Sequence, residues 1–170
     1  MGSDDDKMIA MNECLQHGHN ELERGNPDAA IEWYRKGSTV NSQSSWPDFN
    51  IANVLRDQGK FRDAVDSYLA AIRKEPHDPD SYRNLALLYN QMGKPKEAAK
   101  ELESCVKESN GADPRDYFNL ACLYDHLGNQ LGSTVNYQRF LSAKPVGCEE
   151  LVAIAKRRIE QLKNDMGFGG

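Results

Sequence analysis

A chain of 170 residues, 39% of them hydrophobic and 28% charged, holds material for about one domain, and no stretch approaches the roughly 18 consecutive apolar residues of a membrane-spanning helix. The net charge of −5 is mild and evenly spread, which excludes the electrostatic footprint of a nucleic-acid binder. Four cysteines without a C-x-x-C pair read as reduced thiols, so the expected location is the cytoplasm.

The opening residues 1–7, Met1-Gly2-Ser3-Asp4-Asp5-Asp6-Lys7, read as an expression leader outside the fold, with Met8 as the start of the native sequence. Beyond it, Gly25, Gly59, Gly93 and Gly128 recur at intervals of 34, 34 and 35 residues. Seven residues before each stands a small residue (Gly18, Ala52, Ala86, Ala121) and five after it another (Ala30, Ala64, Ala98, Ser133). Four further on comes a large side chain, at Tyr34, Tyr68, Leu102 and Tyr137. A recurrence at about 34 residues signals stacked helical hairpins, each of which buries its apolar face only against a neighbour.

With each glycine as the turn between two helices, the units run over 11–44, 45–78, 79–113 and 114–147. A final capping helix covers 148–165 and a flexible tail 166–170, so nine helices are expected. Asn26-Pro27, Asp78-Pro79 and Asp113-Pro114 each offer an N-cap oxygen followed by proline at the first helical position. Pro76 and Pro145 end second helices. The small residues mark the contact where two antiparallel helices cross at about 8–10 Å. Asn110-Gly111-Ala112-Asp113 takes up the one extra residue of the third interval. In the last helix, Leu151, Ile154, Ala155, Ile159 and Leu162 form an apolar stripe, while Lys156-Arg157-Arg158 reads as solvated.

These positions resemble the tetratricopeptide repeat. The third unit carries Tyr82, Leu85, Ala86, Tyr89, Gly93, Ala98 and Leu102 in the family's order, and the fourth Tyr117, Leu120, Ala121, Tyr124, Gly128, Tyr137 and Pro145. The second agrees at Ile51, Ala52, Leu55, Gly59, Ala64, Tyr68, Ala71 and Pro76, with Asp48 where a large apolar residue is usual. The first has Cys14, His17 and Glu21 at positions the family fills with bulky apolar groups, as suits an end repeat. The resemblance implies an all-α fold: a right-handed superhelical α-solenoid of four hairpins plus the capping helix, making one domain over 8–165.

No phosphate loop, nucleophile elbow or H-E-x-x-H motif occurs, so no catalytic residue, cofactor or metal is expected. Cys122 and His126, four apart on one helix face, come nearest to a metal pair, but zinc requires further ligands.

The same resemblance places the first helix of each unit along a concave groove. It would present Asn12, Leu15, His19 and Leu22; then Trp46, Phe49, Asn53 and Arg56; then Arg83, Leu87 and Asn90; then Arg115, Phe118, Cys122 and Asp125. Aromatics, amides and arginines together suit a peptide: rings cover apolar side chains, amides bond the backbone, and arginine pairs with carboxylates. A second placement stays open for Trp46 and Phe49, as core between units. Asn50, Asn84 and Asn119 recur at equivalent positions. The expected function is a non-catalytic adaptor that binds a peptide segment of a protein partner. Self-association into a homo-oligomer is one alternative. The other is a co-chaperone with a degenerate carboxylate clamp, for which Asn53, Asn84 and Arg115 match while Phe49 and Asn119 replace two basic residues.

Overall fold

The computed structural model describes residues 3–108, 113–165 and 167. Among them are nine helices and no strand: α1 (Asp4–Glu23), α2 (Pro27–Val40), α3 (Trp46–Asp57), α4 (Phe61–Lys74), α5 (Pro79–Gln91), α6 (Pro95–Glu108), α7 (Pro114–His126), α8 (Gln130–Ser142) and α9 (Glu149–Asp165). The expected insertion at Asn110-Gly111-Ala112 and most of the tail 166–170 lie outside the described residues.

The contacts divide the chain into two compact units, Met1–Ser81 and Tyr82–Gly170. In the first, α1 packs on α2, α2 on α3 and α3 on α4; in the second, α6 packs on α7, α7 on α8 and α8 on α9. The small residues read from the repeat are the contact points. Ala30, Ala52, Ala64, Ala98, Ala121 and Ser133 are all inaccessible to solvent, and so are Tyr34 and Tyr68. Burying a large apolar side chain in this way stabilises by roughly 1.5–3 kcal/mol. In the second unit one cluster joins Ala86, Ala98, Leu102, Cys105, Leu120 and Leu123, and another joins Phe118, Tyr137, Phe140, Ala155, Ile159 and Leu162.

The turn glycines close the first helix of each hairpin as expected. Gly59 has φ +73°, its N–H donates to Arg56 O (2.9 Å), and Lys60 N–H reaches Leu55 O (2.9 Å), which satisfies carbonyls the helix end leaves open. The same two bonds follow α1, α5 and α7. Of the three expected N-caps, Asp113 accepts from Arg115 N–H and Asp78 from Asp80 N–H, Ser81 N–H and the Ser81 hydroxyl. Asn26 does not cap α2; its side chain donates instead to Glu21 Oε2 at 2.9 Å.

The structure adds detail at three further positions. Residues Asp4 to Lys7, read as a leader outside the fold, form the first turn of α1. Asp6 N–H donates to Ser3 Oγ and Ser3 N–H to Asp6 Oδ2, a reciprocal cap that the acidic run favours at a helix N-terminus. Asp48, the odd residue at an apolar position, lies 2.5 Å from Lys74 Nζ, and Lys74 also donates to Ser38 Oγ. Arg158, read as solvated, forks onto Asp125 with bonds of 2.5 and 2.7 Å, tying α9 to α7.

Candidate functional site

Each unit carries a cleft walled by the first helices of two successive hairpins and floored by the second helix between them. In the Met1–Ser81 unit its volume is about 360 Å³, with His19 and Leu22 from α1, Pro27 and Tyr34 from α2, and Asn50, Asn53, Val54 and Asp57 from α3; Gln58, just past α3, completes it. In the Tyr82–Gly170 unit it is about 300 Å³. There Ala86, Leu87 and Asn90 come from α5, Leu102 from α6, and Asn119, Cys122, Leu123 and His126 from α7.

The two clefts are built on matching repeat positions. His19, Leu22 and Tyr34 correspond to Leu87, Asn90 and Leu102, two periods on; Asn50, Asn53, Val54 and Asp57 correspond to Asn119, Cys122, Leu123 and His126. The asparagine is common to both, but the first cleft is rimmed by His19, Asn53 and Asp57 and the second by Leu87, Cys122 and His126. In the second the floor is apolar, since Ala86, Leu102 and Leu123 are buried, while Leu87 is 50% exposed. That combination fits an apolar side chain below an amide rim.

The structure brings the expected residues together unevenly. Leu87, Asn90 and Cys122 share the second cleft, and Asn53 lies in the first. Trp46 is 53% exposed and stands edge-on to Phe49, which is half-buried and packs in turn against Tyr68. Trp46 therefore belongs to a different hollow, with Met8, Met11 and Lys74, while Phe49 packs within its own hairpin. Arg56 donates to the Tyr68 hydroxyl (3.2 Å) and pairs with Asp57. Asn84 is half-buried on α5.

Three expected groove residues are engaged by other groups. Phe118 is 8% exposed, in edge-to-face contact with Tyr137 and Phe140, because the α9 stripe completes a core around it. Arg83 forks onto Asp116, which is 1% exposed, with bonds of 2.7 and 2.8 Å, so the buried carboxylate holds it. Arg115 turns back on its own helix cap, Asp113, at 2.6 Å. This bond holds the Asp113 carboxyl below its usual range, despite an opposing push from burial.

Sequence reasoning left Asn50, Asp57, Tyr34, Gln58, Asn119 and His126 out of the groove. Adding the repeat period to Asn84, already read as a peptide contact, would have found Asn50 and Asn119. Cys122 is exposed as a residue, yet its sulfur lies 3.4 Å from the Tyr137 hydroxyl, and burial there pushes the thiol up despite that bond. Among the described residues no group of three or more His, Cys, Asp or Glu is placed to hold a metal ion.

Comparison with known proteins adds a family. Residues 49–114 match the model described as tetratricopeptide repeat, and solved structures of that kind align over most of the chain. Residues 49–114 belong to the tetratricopeptide repeat family. A tetratricopeptide repeat protein from Parabacteroides merdae superposes with a TM-score of 0.78 at 17% identity, over 95% of this chain and 63% of that one. MamA from Desulfovibrio magneticus gives 0.70 at 16% identity, over 94% and 87%. At these identities the likeness shows the fold alone: all-α, in tandem hairpins. Hsp70-Hsp90 organizing protein 2 of Arabidopsis thaliana is 35% identical over 72 residues, 38% of this chain. Hsp70-Hsp90 organizing protein 1 of Glycine max is 28% identical over 94 residues, 50% of this chain. The chain spans only 13% and 16% of the lengths of those two relatives.

Proposed function

We propose that this protein is a non-catalytic adaptor that binds an extended peptide segment of a partner protein along the first helices of its hairpins. The fold is that of a protein-interaction scaffold, and the observation that supports the finer reading is the recurrence of one cleft at matching positions with its rim rewritten. A scaffold needs only stacking residues; exposed Leu22 and Leu87 beside asparagines add a surface with selectivity. Among the described residues no helix is long and apolar enough to cross a membrane. With four free thiols, the proposed location is the cytoplasm.

Selection of a phage-displayed random peptide library on the full chain tests this reading. Enriched peptides are expected to bind at micromolar concentrations and to lose at least about tenfold on Leu87→Asp or Leu22→Asp, exposed positions where the fold tolerates a charge. No enrichment, or peptides indifferent to both substitutions, would overturn it.

A second reading takes its motive from the relatives' names: recognition of chaperone tails ending in Glu-Glu-Val-Asp. The side chains argue against it, since Arg115 is engaged by Asp113 and Phe49 occupies a basic position of the clamp. Titration of that peptide is expected to show no saturable change in Trp46 fluorescence.

A further inference from the structure

The hairpins differ in one interaction across their own helix crossing. In the second, the Tyr68 hydroxyl donates to Asn53 Oδ1 at 2.6 Å; in the fourth, the Tyr137 hydroxyl lies 3.4 Å from Cys122 Sγ. Each partner is the residue fifteen positions upstream. The third hairpin has Leu87 and Leu102 at this pair of positions, with no polar group to satisfy. In the first the pair is His19 and Tyr34. Their rings meet edge-on, 5.7 Å between centroids, and the Tyr34 hydroxyl has no hydrogen-bond partner although the side chain is 0% exposed.

Gln58 borders the same cleft and has the complementary deficit. Its Nε2 donates to Asp28 Oδ1 (3.0 Å), while its Oε1 is buried without a donor. One unfilled donor and one unfilled acceptor thus belong to residues that line the same hollow, whose other walls are Leu22, Pro27 and Val54 with His19, Asn50, Asn53 and Asp57. Native proteins rarely leave such groups unpaired.

Three occupants can be weighed. A carboxylate would accept from Tyr34 but would meet the Gln58 carbonyl and the nearby Asp57. A cation would suit Asp57 and Gln58 and would leave the hydroxyl unpaired. A neutral primary carboxamide offers an acceptor and a donor together. We propose that this cleft is the subsite for a glutamine or asparagine side chain of the bound peptide, with Tyr34 donating to the carboxamide oxygen and Gln58 Oε1 accepting from its NH2. This assignment rests on the peptide-adaptor reading. Exposed His19, lying against the edge of the Tyr34 ring, is the wall that shifts to admit the amide. Burial pushes Tyr34 up to about 12, so its hydroxyl keeps its proton through the neutral range.

The test is an NMR titration of the full 15N-labelled chain with N-acetyl-glutamine N′-methylamide, compared with the norvaline, glutamate and lysine analogues. The glutamine probe is expected to give saturable shifts at His19, Asn50 and Gln58, with the others at least about tenfold weaker. Tyr34→Phe and Gln58→Ala should each weaken the glutamine probe by a similar factor, and Tyr34→Phe should do so with no fall in Tm, because it removes an unpaired hydroxyl. No saturable shift, equal response to norvaline, or full affinity in Tyr34→Phe would overturn the subsite. Library peptides that depend on Leu87 but not on Tyr34, and lack Gln and Asn, would overturn the subsite and leave the adaptor standing. Failure of the library alone removes the adaptor.

Discussion

Gly18 lies directly beneath the ring of Tyr34: a Cβ placed on it would stand 2.2 Å from Cε1 and 2.7 Å from Cδ1 and Cζ. The ring is wholly buried, so the added methyl must displace packed atoms. Gly18→Ala gains about 1 kcal/mol in helix propensity and incurs overpacking of about 1–3 kcal/mol. The expected outcome is a net loss of about 1 kcal/mol, seen as a lower urea midpoint with unchanged slope.

Gly59→Ala tests a different mechanism with the same chemical change. Nothing lies within 4 Å of the added methyl, and the cost comes from holding φ at +73°. A loss of about 1–2 kcal/mol is expected from that conformation alone. If Gly59→Ala proves neutral, the turn re-forms in another geometry, which the pattern of protected amides at Gly59 and Lys60 would reveal.

Arg83→Met would leave Asp116 charged and buried without its fork. Removing one partner of such a pair costs about 3 kcal/mol, whereas the intact pair is worth far less against an apolar replacement. Chemical denaturation should show that loss, and adding Asp116→Asn should recover part of it, since a neutral amide needs no counter-charge. A loss below about 1 kcal/mol would mean the pair is solvated in solution.

Asp113 should titrate below the ordinary aspartate value of about 3.9. Its folded pKa is lowered by the hydrogen bond from Arg115, so the contribution of cap and ion pair is complete above the unfolded value and fades as pH falls through the folded one. Carboxyl NMR between pH 2 and about 6 measures the midpoint directly. Arg115→Ala should move it upward, and an unmoved midpoint would show that the backbone cap alone sets it.

The fold was legible because its determinants are local and repeated. A glycine at a helix end, an alanine at a crossing and a proline at a first turn act over a few residues, and four copies separate pattern from accident. Arg83, Arg158 and Phe118 were misjudged for the opposite reason. The partners of both arginines lie 33 residues away, about one repeat on, where a face read from helical spacing alone carries no information. Phe118 was judged from α7 alone, yet α9 belongs to the same cluster. The α1 start was missed because an acidic run before lysine reads equally as a cleavage site or as the opening turn of a helix. The Tyr34 and Gln58 deficit was hidden in a sequence where Tyr34 looks like its counterparts; only the missing bond from His19 distinguishes it.

The crossing pairs fifteen residues apart separate two tasks within each hairpin. Alanine and glycine hold the helices at contact distance, while His19 with Tyr34 and Leu87 with Leu102 decide what the two clefts offer. Two codons are therefore enough to re-address one hollow while its neighbours keep their own vocabulary, and a chain assembled this way can acquire a new correspondent without learning to fold again.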